Sequence, residues 1–492
     1  MSVSSVALLA GVLILGLAAR QEGGEAAPAK GSAAPEVSLG AANVEKLAKM
    51  VRSYYGFRDA DQSPGSIQKA KKDLDKLIDE TAKVAKAAKV VEPMLALNDW
   101  REIVRRGLVV EKATVNVSWR GDLRLLTLTE EQTPFASRGD PKELQAVFDH
   151  RLKVFVSVPV DFSKVAYPVL LGLHPMDDEV RALKDMKKSK PIVDEVEKWA
   201  KTTYSKEILA KAIVVVPVMD VAMRSADGVS YTRPRWDTDE GAEWAFRALS
   251  EIVFKNLNYD ARRIFLDGQN TGAMAALLYC AQYPGLQTGA IVRGRPPERI
   301  NFENCIGTPI LFVGKESQSL YDEWKGKEGF VLDLPVEQGD DGMKVKEALD
   351  DATLLAWMAA HPKQFAPRRI LLRTDRREFA SSYWFCVTEE DRAQEKLSLV
   401  ADASIDRDKN QISVVVNEKV KAFDLYLNDE MLDLSKEIRV VYRRTGGASE
   451  APEKERKEVV KRSVEDALDW AYRRPYCNTG DVYVGSVSVV LD

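Results

Sequence analysis

The sequence predicts a doubly wound α/β sheet, preceded by a helical region and followed by a small all-β, sandwich-like domain. Three observations carry this prediction. Short apolar runs alternate with helical patterns between residues 152 and 360, as in a parallel sheet covered by helices. The stretch from Arg262 to Pro284 has the pattern of a strand, a glycine-flanked turn and a helix. After Pro367, segments of alternating polarity replace the helical patterns.

The N-terminus carries an apolar run from Val6 to Ala19 that is too short to cross a bilayer comfortably and ends in small residues. Such a run is typical of a secretory signal, so we predict a signal peptide over 1–19. The alternative is an uncleaved membrane anchor. Residues 20–40 are rich in Ala, Gly, Glu and Pro and predict a disordered linker. The expected location is therefore the periplasm or the extracellular space.

Residues 41–110 predict a helical N-terminal region. Asn43–Tyr55 has a helical pattern, and a longer helix with one apolar stripe begins at Pro64. Leu95–Leu108 predicts a further helix after Pro93. No repeat period recurs along these helices.

Residues 111–366 predict the α/β domain. Its strands are expected at 115–119, 152–160, 169–173, 212–218, 264–266, 289–292, 309–313 and 329–334. Its helices are expected at 178–200, 240–257, 273–283 and 344–360. The continuous apolar runs among these strands are typical of parallel strands that are buried on both faces.

Residues 367–492 predict the C-terminal β-domain. Its strands are expected at 370–373, 383–388, 397–405, 411–416, 423–427, 438–442 and 482–491, several of them with strict alternation. A charged helix is expected as an insertion over 453–473, exposed and outside the core of the β-domain.

The turn from Gly268 to Gly272 lies between an apolar strand and an apolar helix, which is the context of a G-x-S-x-G nucleophile elbow. The central residue is Asn270 rather than serine, and an amide lacks the nucleophilic oxygen that acyl transfer needs. Asn also tolerates positive φ, so Asn270 can hold the turn without taking part in chemistry. We expect positive φ at Asn270.

Four segments, one of which contains the elbow, resemble secreted α/β-hydrolases, in particular bacterial esterases and prolyl-oligopeptidase-like enzymes. They are LKVFVSVPVDF, KVAYPVLLGLHP, NLNYDARRIFLDGQNTGAMAALLYCAQYPG and GTPILFVGKES. The stretch from SSYWFCV to LYLNDEMLDLSKEIRVV resembles the β-domain appended to some of those proteins. The resemblance covers residues 152–492 and leaves out the helical region.

The resemblance implies a degenerate catalytic triad. The family's serine position is Asn270, and its acid position matches Glu316, for which a solvated surface glutamate is the alternative. The family's histidine lies in a loop matching 336–342, which contains Gln338 and no histidine. We expect His361 near the opposite end of the sheet, as the C-terminal residue of a helix.

His174 and Thr271 are the positions that match the family's oxyanion site. His174 is followed by Pro175, which has no N–H, so one potential donor to an oxyanion is missing. A structural role is the alternative for His174. His150 precedes a predicted strand and has no evident partner in the sequence.

The loop from Ala222 to Asp239 follows a predicted strand at the sheet edge where ligands bind in such folds. Its pocket candidates are Tyr231, Arg233, Arg235 and Trp236. The alternative is a loop that packs over the core with Trp236 as its anchor, because both arrangements share this composition.

Composition excludes some function classes. The formal net charge is −4 and acidic residues are interleaved with basic ones, so no nucleic-acid partner is expected. No cofactor or metal site is expected from the spacing of the ligand-type residues. Four cysteines make the pairs Cys280–Cys305 and Cys386–Cys477 conceivable, and the alternative is four buried thiols.

Together these observations predict an exported, catalytically inactive pseudoenzyme that has a binding or scaffolding role at the cell envelope, with an unknown ligand or protein partner. The alternative is an active esterase or peptidase-like hydrolase with a non-standard catalytic set. Contact with a membrane is expected only through the N-terminal segment, if it is not cleaved.

Overall fold

The computed structural model describes most of the chain after the first 38 residues. The described residues are 39–59, 64–87, 97–108, 119–128, 152–162, 165–176, 190–219, 223–224, 231–232, 236, 238–254, 257, 259–294, 302–339, 342–375, 380–390, 398–446, 452–473 and 482–491. The predicted signal peptide and all but the last two residues of the predicted linker lie outside them. No helix in these ranges is both long and apolar enough to traverse a bilayer.

A mostly parallel eight-stranded sheet forms the centre of the α/β domain, in the order β1-β2-β4-β3-β7-β8-β9-β10. Its strands are β1 (Arg124–Thr127), β2 (Lys153–Ser157), β3 (Tyr167–Leu173), β4 (Ile213–Val218), β7 (Tyr259–Gln269), β8 (Gly289–Arg293), β9 (Pro309–Val313) and β10 (Val331–Asp333). β2 runs in the opposite direction to the other seven strands. Two short ribbons are added, β5 (Met223–Arg224) with β6 (Tyr231–Thr232), and β11 (Val336–Gly339) with β12 (Gly342–Val345).

Helices cover both faces of this sheet, as the predicted doubly wound architecture requires. They are α4 (Lys190–Thr203), α5 (Lys206–Lys211), α6 (Asp239–Ala248), α7 (Thr271–Gln282), α8 (Gln318–Trp324) and α9 (Asp351–Ala360). Side chains of α6 and α7 pack on one face, and those of α4, α5 and α9 pack on the other. Alternate side chains of each buried strand therefore pack in two hydrophobic cores, one on each face of the sheet.

The C-terminal region forms two packed sheets, so the predicted all-β domain is present. One sheet has the order β13-β16-β17-β19-β20 and the other the order β14-β15-β18-β21. The strands are β13 (Arg369–Thr374), β14 (Ser381–Ser382), β15 (Phe385–Glu390), β16 (Leu399–Asp406), β17 (Gln411–Asn417), β18 (Val420–Leu427), β19 (Ile438–Thr445), β20 (Lys454–Glu458) and β21 (Gly485–Val490).

The N-terminal helices pack against this β-domain. They are α1 (Ala41–Asp59), α2 (Pro64–Ala87) and α3 (Leu97–Leu108). Trp100 and Ile103 of α3 belong to the same hydrophobic cluster as Phe385 of β15 and Leu425 of β18. Arg101 also forms a two-bond pair with Glu430, at 2.7 and 2.8 Å. Segments more than 250 residues apart in sequence thus share one core.

The α/β domain and the β-domain are joined by buried polar contacts. The side-chain amide of Asn304 donates to Ala281 O at 2.9 Å and to Arg373 O at 2.8 Å, and its oxygen accepts from Arg373 N at 2.7 Å. The two bonds between Asn304 and Arg373 form only when the two domains are in contact, so they fix the geometry of the junction.

Two predicted helices are corrected by the structure. The helix expected over 344–360 begins only at Asp351, because Asp350 caps it by accepting from Thr353 N at 2.7 Å. Lys344 and Val345, which were expected to begin this helix, end β12 instead. The strand expected over 115–119 lies largely outside the described residues, and the first described strand is β1.

The charged helix predicted over 453–473 is wrong in its first half and in its exposure. Residues 454–458 form the edge strand β20, in which Glu455 pairs with Arg439 of β19 at 2.9 Å. Charged side chains suit an edge strand because they discourage further pairing. The second half is α10 (Val464–Arg473), and its Val464 and Leu468 are buried in the core of the β-domain.

Candidate functional site

The turn after β7 has the geometry of a nucleophile elbow. Asn270 has φ 51° and ψ −112° and directly precedes α7. The expected positive φ is confirmed, but this ψ lies far from the left-handed helical well, so tolerance of that well does not by itself explain the residue. The side chain of Asn270 is exposed at the carboxyl edge of the sheet. With its strand, turn and helix, the domain has an α/β-hydrolase-like fold.

Two glycines make this turn sterically feasible. A Cβ atom on Gly268 would stand 2.1 Å from Gly272 O, and one on Gly272 would stand 2.0 Å from Leu173 O. Backbone atoms cannot yield at such distances, so β7, α7 and the end of β3 approach closely only with glycine at both positions.

The side chains on either side of Asn270 are held by hydrogen bonds. Gln269 accepts from Trp199 Nε1 at 2.6 Å, and Thr271 Oγ1 accepts from Met176 N at 2.8 Å. The backbone N–H of Asn270 donates to Arg293 O at 3.0 Å. The elbow is therefore fixed at three successive residues, while the Asn270 carboxamide makes no capping bond to its own helix.

Glu316 lies across a glycine gap from Asn270. A Cβ atom on Gly294 would stand 2.4 Å from Asn270 Oδ1 and 3.6 Å from Glu316 Oε2. The two side chains therefore flank one point above the end of β8, which the absence of a side chain on Gly294 leaves open. Glu316 is exposed, and the neighbouring Lys315 N donates to Glu347 Oε2 at 3.4 Å. The proximity of Glu316 to the elbow matches the acid position that the resemblance implied, and its role stays a prediction.

His174 has a structural environment. Its ring is buried, Nδ1 lies 2.9 Å from Pro175 O, and Nε2 accepts from Met219 N at 3.2 Å. This arrangement requires the neutral tautomer with the proton on Nδ1. Both ring nitrogens are therefore used, and the imidazole is not available to take a proton at the elbow.

Thr271 begins α7, so its own backbone N–H belongs to the first turn, where the helix offers no acceptor. The carbonyl of Asn270 accepts from Ala273 N at 2.9 Å and from Met274 N at 3.1 Å. The positive end of the helix dipole consequently faces the carboxyl edge of the sheet beside Asn270. An oxyanion role for Thr271 or His174 stays a prediction.

The remaining triad positions lie on other elements of the α/β domain. Gln338 is exposed on the hairpin of β11 and β12, where the sequence predicted a loop. His361 ends α9, and its Nδ1 lies 2.9 Å from Trp357 O. Two residues later, Lys363 N donates to Arg262 O near the start of β7, at the end opposite the elbow. The expected position of His361 is confirmed. His150 lies outside the described residues.

The predicted pocket residues are only partly described. Trp236 is fully buried, its Nε1 donates to His174 O at 2.9 Å, and its carbonyl accepts from the Tyr279 hydroxyl. This is the packed-anchor arrangement, so the Trp236 indole is not an exposed pocket wall. Arg233, Arg235 and the side chain of Tyr231 lie outside the described part of the chain.

The sequence analysis missed a buried ion pair beneath the elbow. Asp267 of β7 is fully buried and accepts from Arg293 at 2.7 and 3.1 Å. Burial raises the pKa of the nearby Tyr204 hydroxyl well above its ordinary value, and the Asp267 charge raises it further. In the sequence, Asp267 interrupts the apolar run of β7, and Arg293 is the last residue of the neighbouring strand β8. A charged residue inside a buried strand requires a partner of opposite charge, and this is the signal that could have identified the pair.

The described cysteines are free thiols. Cys280 and Cys305 are buried and Cys386 is half-buried, so the conceivable Cys280–Cys305 bridge is not formed. Burial raises the pKa of the Cys280 thiol to about 12. Cys477 lies outside the described residues. Among the described residues, no group of three or more His, Cys, Asp or Glu side chains is placed to hold a metal ion.

Comparisons with known proteins give matches only among solved structures. No model of a known protein family matches the chain, and no curated protein does. A thermostable esterase aligns with 14% identity and a TM-score of 0.31, over 50% of this chain and 64% of its own. A bacterial heroin esterase aligns with 17% identity and a TM-score of 0.19, over 33% and 39%. A Bacillus cereus carboxylesterase aligns with 17% identity and a TM-score of 0.24, over 45% and 98%.

Proposed function

We propose that this chain is an exported α/β-hydrolase-fold pseudoenzyme that binds a ligand or a protein partner at the cell envelope. The observation that carries the proposal is the residue at the elbow. Asn270 is exposed and held at φ 51°, where the fold presents a nucleophile, but its carboxamide is not one. The position keeps its geometry while its chemistry has changed.

The histidines support the absence of acyl transfer. The chain has three histidines. His174 uses both ring nitrogens, and His361 belongs to the opposite end of the sheet. A general base contributes about 10²–10⁴ in rate, and a serine at the elbow depends on one. His150 is the one histidine whose position the structure does not describe, so experiments must include it.

Binding is supported by the groups that the elbow presents. A backbone held in such a sparsely populated region costs about 1–3 kcal/mol and persists where function or packing demands it. The Asn270 carboxamide provides both donors and an acceptor, and the Glu316 carboxylate provides acceptors across the glycine gap. A ligand that carries hydrogen-bond donors beside an acceptor complements this pair.

Activity-based labelling tests the inactive elbow. We expect the full chain not to label with a fluorophosphonate, and Asn270→Ser to stay near background on p-nitrophenyl esters. The double variant Asn270→Ser/Gln338→His is the smallest change from which we expect measurable turnover. Robust turnover by Asn270→Ser alone that is lost on adding His150→Ala would reveal a hidden base and refute the pseudoenzyme proposal.

An active hydrolase is the second candidate, and the position of Glu316 favours it. A carboxylate that shares a gap with the elbow can activate a water molecule as a general base. On this hypothesis the native chain hydrolyses an ester, and Glu316→Gln abolishes the activity. Glu323→Gln, which alters an exposed glutamate on α8, is the matched control.

Export is tested separately from chemistry. We propose that the chain is carried across the cytoplasmic membrane by residues 1–19. Fractionation of cells that express the full chain should place it in the periplasm or the medium, or in the membrane fraction if the segment acts as an anchor. Recovery in the cytoplasm, with residues 1–19 still attached, would contradict export and leave the elbow proposal untouched.

A further inference from the structure

Three neighbouring parallel strands end in residues with positive φ. Asn270 follows β7 with φ 51°, Gly294 follows β8 with φ 80°, and Gly314 follows β9 with φ 90°. These strands are adjacent in the sheet. The three residues therefore form a row along the carboxyl edge, beginning at the elbow.

A backbone hydrogen bond connects each member of the row to the next strand. Asn270 N donates to Arg293 O at 3.0 Å, Gly294 N donates to Val313 O at 3.2 Å, and Gly314 N donates to Lys346 O at 2.9 Å. The first two acceptors, Arg293 and Val313, directly precede the next donors, Gly294 and Gly314. The last acceptor, Lys346, directly follows β12. The row thus runs without a break from the elbow to the base of the β11–β12 hairpin.

The hairpin end of the row is itself fixed. Lys346 N donates to Pro335 O at 3.0 Å, which closes the base of the hairpin. The Gly314 carbonyl accepts from Ser317 N at 3.1 Å and from Ser317 Oγ at 2.8 Å. These bonds hold the hairpin and the Gly314 carbonyl in place. A change in the backbone at Gly314 should therefore displace Gly294 rather than the hairpin.

We propose that Gly294 and Gly314 are positioning residues of the elbow, which couple the β11–β12 hairpin to the Asn270 side chain. Gly294 is the contact point, because its missing Cβ leaves the space against which Asn270 Oδ1 lies. Gly314 sets where Gly294 stands, through Val313. The coupling goes beyond the proposed function, since it holds whether the elbow binds a ligand or hydrolyses one.

A matched pair of glycine substitutions tests the coupling. Gly314→Ala places an L residue at φ 90° with its nearest neighbour at 3.5 Å, so its effect is on the backbone rather than a clash. Gly326→Ala places the same residue at φ 82° with nothing within 4 Å. Both variants carry a penalty for positive φ, and at Gly314 the ψ of 151° adds to it because only glycine populates that region. Only Gly314 lies in the row. Urea midpoints measure how far each variant is destabilised, so that the Asn270 signal is compared under conditions in which both variants are folded.

The readout is the side-chain amide signal of Asn270 in the full chain labelled with ¹⁵N-asparagine, assigned by its disappearance in Asn270→Ser. We expect the signal to shift or broaden in Gly314→Ala and to stay in place in Gly326→Ala. Backbone exchange at Asn270 should rise about tenfold in Gly314→Ala, the value of one lost hydrogen bond.

Two outcomes overturn the proposal. One is an Asn270 signal that is unchanged in Gly314→Ala, and the other is an equal change in Gly326→Ala. If Gly314→Ala does not fold, Ser317→Ala, which removes the hydrogen bond from Ser317 Oγ to Gly314 O, decides in the same way against the control Ser486→Ala. Neither outcome depends on a ligand or on turnover, so failure here is separate from failure of the proposed function.

Discussion

Replacing Asn270 by glycine should stabilise the protein. Asn270 is held at φ 51° and ψ −112° and makes no side-chain bond that caps its helix. Releasing the strain returns about 1–3 kcal/mol, and the extra freedom of glycine in the unfolded chain costs about 0.5–1 kcal/mol. The free energy of unfolding should therefore rise by up to about 2.5 kcal/mol in Asn270→Gly.

Asn410 is the matched control, because it is also an asparagine with positive φ, at 49°. Its side chain donates to Asp433 O and Glu437 O, both at 3.1 Å, and accepts from Asp433 N at 2.8 Å. Three hydrogen bonds at about 1 kcal/mol each outweigh the relief of about 1 kcal/mol. The freedom of glycine in the unfolded chain costs a further ~0.5–1 kcal/mol here too. Asn410→Gly should thus lower the free energy of unfolding by about 2.5–3 kcal/mol.

Urea unfolding followed by tryptophan fluorescence and by circular dichroism measures both variants against the native chain. The opposite signs are the expected result. If Asn270→Gly is destabilised as much as Asn410→Gly, the elbow stores no strain at Asn270 and the argument that function retains it fails. A gain in the free energy of unfolding with an unchanged m-value supports the view that Asn270 lowers stability and is retained for function.

Two further predictions concern the junction and the buried thiols. Asn304→Ala removes three hydrogen bonds, two of them to Arg373 of the β-domain, and should cost about 3 kcal/mol in urea unfolding. Asn417→Ala, which loses bonds within one sheet, should cost less than about 1.5 kcal/mol. Equal losses would mean that the junction is not built on Asn304. Iodoacetamide at pH 8.5 should label Cys280 only after unfolding, because burial raises its pKa to about 12. Rapid labelling of the native chain would contradict the burial of Cys280. Because the pKa of Cys280 is raised in the folded state, the contribution of this thiol to stability is complete below the unfolded pKa of about 8.5. That contribution is lost as the pH rises toward 12.

The β-strands and the elbow were predictable because their signals are local. The run Pro309–Val313 was predicted with the bounds that the structure has, since a short apolar run between polar segments has few alternatives to a buried strand. Positive φ at Asn270 followed from the flanking glycines in the same way. The helix boundary at Asp351 and the strand at 454–458 were mispredicted, because a cap and a cross-strand pair decided them.

The sequence by itself determined that the elbow carries asparagine, that the histidine loop carries none, and that strands alternate with helices. These are properties of residue identity and periodicity, which need no partner in space. Only the tertiary structure decided that Glu316 faces Asn270 across Gly294, that His174 is occupied on both nitrogens, and that α3 shares a core with the β-domain. Each of these contacts joins segments from different elements, and their distances depend on how the whole sheet closes rather than on any local pattern.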